Sequence, residues 1–240
     1  MGFEKVSLRE QVARALRAAI VSGEMEPGVV YSAPALAARF DVSATPVREA
    51  MLDLVRENLV TTVPNKGFRV TAVEERDLDE ITELRMLVEP PLAARVTPSV
   101  PADDLPELRR LAEAIVDGAR AGDLVAYTEA DRAFHLRLLD YAGNRRASAL
   151  VSDLRAHTRL YGLAALLDAG GLEASAREHH AILDAVEARD PAEVERLMSA
   201  HIAQTRGRWA APAHGGRGAR PATAEPRDPA PSTQTNPHGP

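Results

Sequence analysis

The chain has no cysteine among its 240 residues. Disulfides, thiolate nucleophiles and cysteine-based zinc sites are therefore excluded. No apolar run approaches the roughly 18 to 20 residues that a membrane-spanning helix needs, and the N-terminus lacks the basic segment followed by an apolar one that marks a signal peptide. We therefore expect a cytoplasmic protein without a membrane partner.

A net basic charge is also missing, since the formal charge is -6. Residues 1–73 hold nine Lys and Arg against eight Asp and Glu, whereas residues 74–210 hold 17 against 25. The acidity therefore lies in the middle of the chain. A near-neutral N-terminal segment can still present a basic face to nucleic acid, with the acidic remainder held away from phosphate.

The stretch from Ser43 to Val60 predicts an amphipathic helix. Ser43 suits a helix cap and Pro46 falls near the first helical position. Apolar residues recur at the spacing of one buried helical face, at Val47, Ala50, Met51, Leu54 and Val55. The exposed front of this helix carries Ser43, Thr45 and Arg48, which are suited to meet phosphates or base edges.

The flanking residues place this helix in a winged helix-turn-helix. Residues 7–22 form an amphipathic stripe between a plausible cap at Ser7 and a stop at Gly23. A second short helix is predicted at about residues 33–40, joined to the third by a tight turn. Two β-rich runs, 59–63 and 67–71, flank Pro64-Asn65-Lys66 and predict a hairpin.

These residues resemble a known family. Val42-Ser43, the run Thr45-Pro46-Val47-Arg48-Glu49-Ala50 and the run Lys66-Gly67-Phe68-Arg69-Val70 are similar to the DNA-binding domain of GntR-family bacterial transcription regulators. The resemblance implies a regulator, most often a repressor, that binds a double-stranded DNA operator as a homodimer. It also implies that Lys66 and Gly67 of the wing approach the DNA. Ala44 and Pro34 stand where family members often carry basic residues.

The remaining chain predicts a mainly α protein. Helices are expected at about 78–96, 103–121, 123–142, 145–168, 173–189 and 191–209, in an antiparallel six-helix bundle with a kink at Pro90-Pro91. The last segment, 211–240, holds seven of the 17 prolines and hardly any large apolar residue, which predicts disorder. The predicted domains are residues 1–73, residues 74–210 and the tail 211–240.

Four ligand-type residues fall on the inner stripes of the predicted helices. Asp131 and His135 are four residues apart and emerge on the same helical face. His179 lies on the same apolar stripe as Ile182 and Leu183, whereas His180 lies on the solvent-exposed face of that helix. His201 lies on the inner stripe of the last helix.

Buried carboxylates and imidazoles are costly unless they are paired or bind a cation. A shared divalent metal therefore explains Asp131, His135, His179 and His201 together. Three imidazoles and one carboxylate suit Zn, Ni, Fe or Mn and leave coordination positions open. Taken singly, each histidine also fits a hydrogen-bonded core residue.

The second half resembles the FCD effector-binding domain that accompanies GntR-type DNA-binding domains. The matching residues are Asp131-x-x-x-His135, Tyr141-Ala142-Gly143-Asn144, Glu178-His179-x-x-Ile182-Leu183 and Met198-x-x-His201. The resemblance implies that the Asp and three His hold the metal and that a small organic acid binds beside it. The six predicted helices are similar to the shorter, VanR-like branch of this FadR/VanR-like group.

The resemblance also implies two effector-binding residues. Arg85 would hold the carboxylate of the acid, although an ion pair with Asp131 or Glu89 is an equal alternative. Asn144 would line the pocket, or cap the helix that follows Gly143. His157 falls on the stripe of Leu150, Leu154 and Tyr161 and is read as core or pocket wall.

Two other functions fit the same Asp/His site. A metal-dependent hydrolase would use the metal to activate water, but no second inward carboxylate or other clear general base accompanies the ligands. A pure metal sensor, or a purely structural metal, would need no organic acid. We therefore expect a regulator rather than an enzyme.

Overall fold

Three helices and a small sheet make up the N-terminal part of the computed structural model. The structure describes residues 7–72, 74–158 and 163–209, without the side chains of 75, 157, 158, 165 and 205–209. The helices are α1 (Leu8–Val21), α2 (Ala33–Phe40) and α3 (Ala44–Arg56). The strands are β1 (Val30–Tyr31), β2 (Val60–Val63) and β3 (Gly67–Val70). This is the predicted winged helix-turn-helix.

Local hydrogen bonds set the ends of these helices. The Ser7 hydroxyl accepts from the Glu10 amide at 3.2 Å while the Glu10 carboxylate accepts from the Ser7 amide at 2.8 Å, which closes a capping box. Asp41 ends α2 in the left-handed conformation, at φ 52°. The chain therefore turns sharply from α2 into α3.

The wing is an antiparallel sheet in the order β1-β3-β2. Val60 pairs with Val70 and Val63 with Gly67 across the hairpin. Gly67 has φ 136°, and a Cβ there would lie 2.3 Å from the Tyr31 carbonyl oxygen. Only glycine fits where β1 passes this close to the hairpin.

Seven helices form the rest of the described chain. They are α4 (Glu75–Val96), α5 (Leu105–Ala121), α6 (Leu124–Asp140), α7 (Arg145–Thr158), α8 (Leu163–Asp168), α9 (Leu172–Glu187) and α10 (Pro191–Trp209). Two 3₁₀ turns, Thr97–Ser99 and Ala102–Asp104, join α4 to α5. The helical domain is as predicted, but the expected helix at 145–168 is described as two helices. The VanR-like assignment by helix number stays a prediction, because residues 159–162 between α7 and α8 lie outside the described residues.

Helix α4 runs without interruption through Pro90 and Pro91, as expected for one helix over 78–96, and the kink at these residues stays a prediction. Each proline removes one backbone donor from the helix. Packing compensates, because Glu89, Pro90, Leu92 and Ala93 are all buried and α4 packs closely along α10.

The described residues form two hydrophobic clusters. One holds Leu16, Met51 and Leu54 in the winged domain, and the other holds Phe134, Leu138 and Met198 in the helical domain. None of the helices within the described ranges is long and apolar enough to cross a membrane. The predicted tail, 211–240, lies outside the described residues, and the boundary at residue 73 stays a prediction.

Helix α1 connects the two parts of the chain. It packs against α3 in its own domain and against α6 in the helical domain. Arg14 donates to Asp123 at 2.9 Å, and Arg17 lies 3.5 Å from Glu129. Two acidic residues at the start of α6 therefore hold two arginines of α1.

Candidate metal centre and nucleic-acid interface

The four predicted ligands come together inside the helical domain. Asp131 and His135 lie one turn apart on α6, His179 lies on α9 and His201 on α10. The three histidines are buried and Asp131 is slightly exposed. One ligand atom from each residue lies within 4.8 Å of the others, as a shared metal ion requires.

The closest atoms of the cluster all face a common point. His135 Nε2 lies 3.1 Å from His179 Nε2. Asp131 Oδ1 lies 3.2 Å from His179 Nε2 and 3.7 Å from His135 Nε2. Two ring nitrogens and a carboxylate oxygen thus occupy one small buried volume.

Hydrogen bonds outside the cluster orient two of the rings. His179 Nδ1 donates to the Ala176 carbonyl at 2.9 Å, and His201 Nδ1 donates to the Glu178 carboxylate at 2.9 Å. Burial also lowers the pKa of the His201 imidazole, although Glu178 opposes this shift. Because a neutral ring carries only one proton, the Nε2 atom of each ring presents a lone pair to the cluster.

The hydrogen bonding of the third ring, His135, is incomplete. Its Nδ1 is buried without a hydrogen-bond partner, 3.8 Å from Glu89 Oε2. Burial and the nearby Arg155 hold the pKa of His135 well below its usual value, so the ring is neutral. A proton on Nε2 leaves the Nδ1 lone pair unsatisfied, and a proton on Nδ1 leaves only acceptors facing one another. A cation among the Nε2 atoms removes this conflict, so the donor set fits a divalent metal.

His180 lies outside this cluster, as the helical periodicity predicted. Its ring is partly exposed, and Nε2 lies 3.2 Å from Glu113 Oε2. The adjacent histidines therefore have opposite environments, one buried among ligands and one on the surface.

A chain of buried ion pairs extends from the cluster. Arg85 Nε donates to Glu89 Oε1 at 2.6 Å. Arg155 Nη2 donates to Glu89 Oε2 at 2.6 Å, and its Nη1 donates to Asp131 Oδ2 at 2.8 Å. Burial raises the pKa of both carboxyl groups, but the guanidinium groups outweigh it and hold each pKa below its ordinary value. Both carboxylates are therefore ionised.

Arg155 was missed in the sequence because the stripe on this helix was assigned one residue off. The interpretation used Leu150 and Leu154, yet Leu150 is exposed whereas Val151 is buried. The buried stripe runs through Val151, Leu154 and Arg155. A search for the more apolar stripe, with Val151 in it, would have found Arg155. The side chain of His157 lies outside the described residues.

Both predicted roles of Arg85 remain compatible with its position. The ion pair with Glu89, one of the two alternatives, is present. The other alternative is a contact with the carboxylate of an organic acid. Arg85 Nη2 is available to donate to it, because this atom is buried without a hydrogen-bond partner. Burial lowers the pKa of this guanidinium, yet arginine stays charged in proteins.

Asn144 lies at the start of α7 and is exposed. Its Oδ1 accepts hydrogen bonds from the amides of Arg146 and Ala147, both at 3.2 Å. This is the helix-capping alternative, and no contact of Asn144 in the described residues ties it to the metal cluster.

The predicted DNA contacts lie on one face of the winged domain. Ser43, Thr45 and Arg48 are exposed on α3, and the Ser43 hydroxyl makes no capping hydrogen bond. Lys66 is exposed at the hairpin tip. A groove of 580 Å³ between α3 and the wing is lined by Pro34, Arg48, Leu52, Lys66 and Gly67 among others.

Ion pairs divide the cations of this domain into two groups. Arg9 and Arg56 bind Asp53, Arg17 binds Glu57, and Arg39 binds Glu24. In the described part of the chain Arg48, Lys66 and Arg69 make no ion pair. Although the domain is near neutral, its unpaired positive charge therefore lies on α3 and the wing.

Comparisons with known proteins match both halves of the chain. Residues 8–70 match "Bacterial regulatory proteins, gntR family" and residues 80–204 match "FCD domain". The chain is 29% identical over 190 residues to the HTH-type transcriptional regulator McbR of Escherichia coli (strain K12), covering 78% of this chain and 86% of that protein. It is 29% identical over 203 residues to the transcriptional repressor GlaR of the same strain, covering 79% and 90%.

Solved structures agree with these matches. The structure of E. coli McbR/YncC superposes with a TM-score of 0.64 at 28% identity, covering 85% of this chain and 97% of that chain. A putative regulator GntR from Rhodococcus sp. RHA1 has a TM-score of 0.61 at 24% identity, covering 83% and 95%, and supports the fold alone.

Replacement of His179 by Ala is expected to remove the thermal stabilisation that a bound divalent metal gives. A ligand present at 100 times its Kd stabilises a protein by about 2.7 kcal/mol, so the effect should be plain in thermal melts with and without chelator. His180→Ala is the matched control, because that ring lies on the surface beside Glu113. Equal chelator sensitivity of the two variants would contradict the metal site.

Proposed function

This chain belongs to the GntR family of bacterial transcription regulators and carries an FCD domain, and on that premise we propose that a metal and a small organic acid control its binding to DNA. The protein acts as a homodimer on a two-fold related operator and represses transcription, as relatives named repressors do. The observation that carries the proposal is the buried Asp131/His135/His179/His201 cluster beside the unpartnered Arg85 donor.

The ligands of the metal are Asp131, His135, His179 and His201. The borderline-soft imidazoles and the carboxylate suit Zn, Ni, Fe or Mn. A bound divalent ion supplies a positive, Lewis-acidic centre that a carboxylate can ligate. Glu178 and the Ala176 carbonyl fix the rings of His201 and His179 through Nδ1, and so position Nε2 for coordination.

The effector class follows from the charges around the metal. Arg85 Nη2 is a buried donor without a partner, and Arg155 already bridges Glu89 and Asp131. A buried guanidinium favours a planar, doubly accepting anion, and a carboxylate is one. We propose that the acid binds between the metal and Arg85, which turns toward it without releasing Glu89.

DNA is read by α3 and by the wing. Arg48, Thr45 and Ser43 at the front of α3 contact base edges and phosphates in the major groove. Lys66, Arg69 and the Gly67 backbone of the wing approach the phosphates or the minor groove. Because Ala44 and Pro34 provide no cation, the unpaired charges of Arg48, Lys66 and Arg69 supply most of the electrostatic attraction.

Helix α6 links the effector site to the reading helix. It carries Asp131 and His135 on its inner face. Two residues before Asp131, Glu129 lies next to Arg17 of α1. Arg17 in turn donates two hydrogen bonds to Glu57, at 2.9 and 2.6 Å, and Glu57 caps the C-terminal end of α3. A small displacement of α6 on acid binding is therefore passed through α1 to α3.

The enzyme alternative loses its support. The relatives are transcriptional regulators, which agrees with the expectation of a regulator rather than an enzyme. Two carboxylates lie next to the ligands, and both are engaged. Glu89 pairs with Arg85 and Arg155, and Glu178 accepts a hydrogen bond from His201 Nδ1, so each is poorly placed as a general base. Melting temperatures of the metal-loaded protein with and without small organic acids distinguish a pure metal sensor from an acid-responsive regulator.

Arg48→Ala is expected to weaken binding to the operator by about tenfold or more and to lower the salt dependence by about one charge per protomer. Fluorescence anisotropy over a range of salt concentrations measures both quantities. Arg56→Ala is the matched control, because Arg56 lies at the far end of the same helix and pairs with Asp53. An unchanged titration for Arg48→Ala would contradict the proposed reading face.

A panel of small organic acids is expected to raise the melting temperature of the metal-loaded protein beyond the metal alone. The added shift should be smaller in Arg85→Lys, since lysine keeps the charge but loses the planar donor pair. The metal-dependent shift should persist in that variant. If no acid adds to the effect of metal, the acid-binding part of the proposal is wrong and a pure metal sensor is favoured.

Glu129→Gln is expected to uncouple the two sites. With the acid that gives the largest melting shift, the wild type should lose operator affinity by a factor typical of allosteric coupling, about 5- to 150-fold. The variant should keep the melting shift but lose less affinity, because its contact with Arg17 is weakened. Glu107→Gln is the control, since Glu107 pairs only along α5 with Arg110. Equal loss of affinity in all three proteins would rule out this path.

A further inference from the structure

Exposed leucines mark one surface of the helical domain. Leu87 on α4 is 66% exposed, the highest value among the large hydrophobic side chains in the described ranges, and Leu84 is 44% exposed. Leu150 on the neighbouring α7 is 43% exposed. Isolated surface leucines are common, so the arrangement of these residues along α4 decides whether they form a surface.

Leu84 and Leu87 belong to a stripe that runs along the outer face of α4. Its members are exposed and recur at intervals of three or four residues, at Glu80, Leu84, Leu87, Pro91 and Arg95. Residues at this spacing share one helical face, and 15 steps of 1.5 Å make the stripe about 22 Å long. The buried Arg85, Glu89 and Leu92 lie on the other side of the helix.

We propose that this stripe, the α4 stripe, is where a second copy of the chain docks, with the two α4 helices antiparallel across a two-fold axis. The proposal names the surface of the homodimer and so rests on the proposed function. Helix α4 packs against α10, α7 and α6 within its own chain, and the stripe faces away from all three contacts that bury Arg85, Glu89 and Leu92.

The stripe is complementary to itself when it is reversed. An axis between Leu87 and Val88 places Leu87 and its symmetry mate at the centre. It places Leu84 opposite Pro91, and Glu80 opposite Arg95. The pairing gives an apolar centre with opposite charges at both ends, which is the arrangement of a symmetric isologous interface.

The two charged ends are available for this pairing. Arg95 makes no ion pair within the part of the chain that the structure describes. Glu80 pairs with Arg76 at 2.8 Å, but both side chains are largely exposed. Such an exposed pair along one helix stabilises only weakly, so Glu80 can exchange it for Arg95 of the partner subunit at little cost.

The order of charges along α4 favours a second copy over an unrelated partner. The helix runs from acidic residues at its N-terminal end, such as Asp77, Glu80 and Glu83, to Arg95 at its C-terminal end. A parallel copy would place like charges opposite each other. A stable interface buries about 800 Å² on each partner, more than one helical stripe supplies, so the contact extends onto α7 around Leu150.

The position of α4 gives this surface a functional consequence. The helix begins directly after the wing, separated from Thr71 by a few residues, so pairing of the two α4 helices sets the distance between the two reading heads. The same helix carries Arg85 and Glu89 on its buried side. A change at the effector site therefore acts on the helix that holds the dimer together.

Light scattering coupled to size-exclusion chromatography tests the surface on the full chain. The wild type should have twice the chain mass of 25.8 kDa, and Leu87→Glu should run as a monomer at the same concentration. Leu8→Glu is the matched control, because Leu8 is an exposed leucine on α1 and should leave the dimer intact. Circular dichroism confirms folding of each variant. A monomeric wild type, or a dimeric and folded Leu87→Glu, would overturn the proposal.

A charge exchange tests the antiparallel register. Glu80→Arg and Arg95→Glu should each raise the dimer dissociation constant by about two- to fivefold per contact, as exposed ion pairs do. The double variant should recover most of the wild-type value, because the exchanged charges again face each other. A double variant no better than the product of the single effects would overturn this register.

Operator binding and metal uptake, measured on the same samples, separate this proposal from the proposed function. A wild-type monomer that binds operator and metal would refute the α4 interface and the homodimer, while DNA binding and metal binding would stand. A dimer that Leu87→Glu dissociates, but that binds neither operator nor metal, would support the interface while the proposed function fails.

Discussion

The structure depends on the burial of four metal-ligand side chains whose lone pairs face one another. Removing a carboxylate and three imidazoles from water costs several kcal/mol unless each finds a partner. The protein supplies partners on the outside of the cluster, through Ala176, Glu178 and Arg155. On the inside the ligand atoms mostly face one another, as His135 Nε2 and His179 Nε2 do at 3.1 Å, and a divalent cation fits among them. Helices α6, α9 and α10 thus bring together a donor set that fits a divalent cation.

Two of the helices around this centre, α6 and α4, also make contacts or carry surfaces outside it. Helix α6 provides two of the candidate ligands, and Asp123 and Glu129 at its N-terminal end lie next to Arg14 and Arg17 of α1. Arg17 in turn pairs with Glu57 at the C-terminal end of α3. Helix α4 provides the Arg85–Glu89 pair and carries the exposed leucines on its outer face. Because packed helices move as rigid bodies, we propose that a change of charge at the centre acts on both the winged domain and the α4 stripe. In this proposal, control of DNA binding depends on helices that the two sites share.

Much of this arrangement was predictable from the sequence. Local signals such as Ser7, Asp41 and the turn before Lys66 predicted the winged domain, and helical periodicity distinguished His179 from His180. The sequence failed where tertiary packing outweighs local preference. Arg155 was missed because a buried arginine on an apolar stripe is unusual, and its partners Glu89 and Asp131 lie on other helices. The role of Asn144 was left open between pocket and cap, and its hydrogen bonds favour the cap.

X-ray absorption spectroscopy of the metal-loaded protein tests the central claim most directly, because it reports the atoms bound to the ion. The account predicts one metal per chain with the outer-shell scattering of three imidazoles and at least one oxygen in the first shell. In the His179→Ala protein, loaded with excess metal, one imidazole contribution should be lost. A first shell of oxygen atoms alone, or a wild-type spectrum that His179→Ala does not change, would contradict a metal centre at Asp131, His135, His179 and His201.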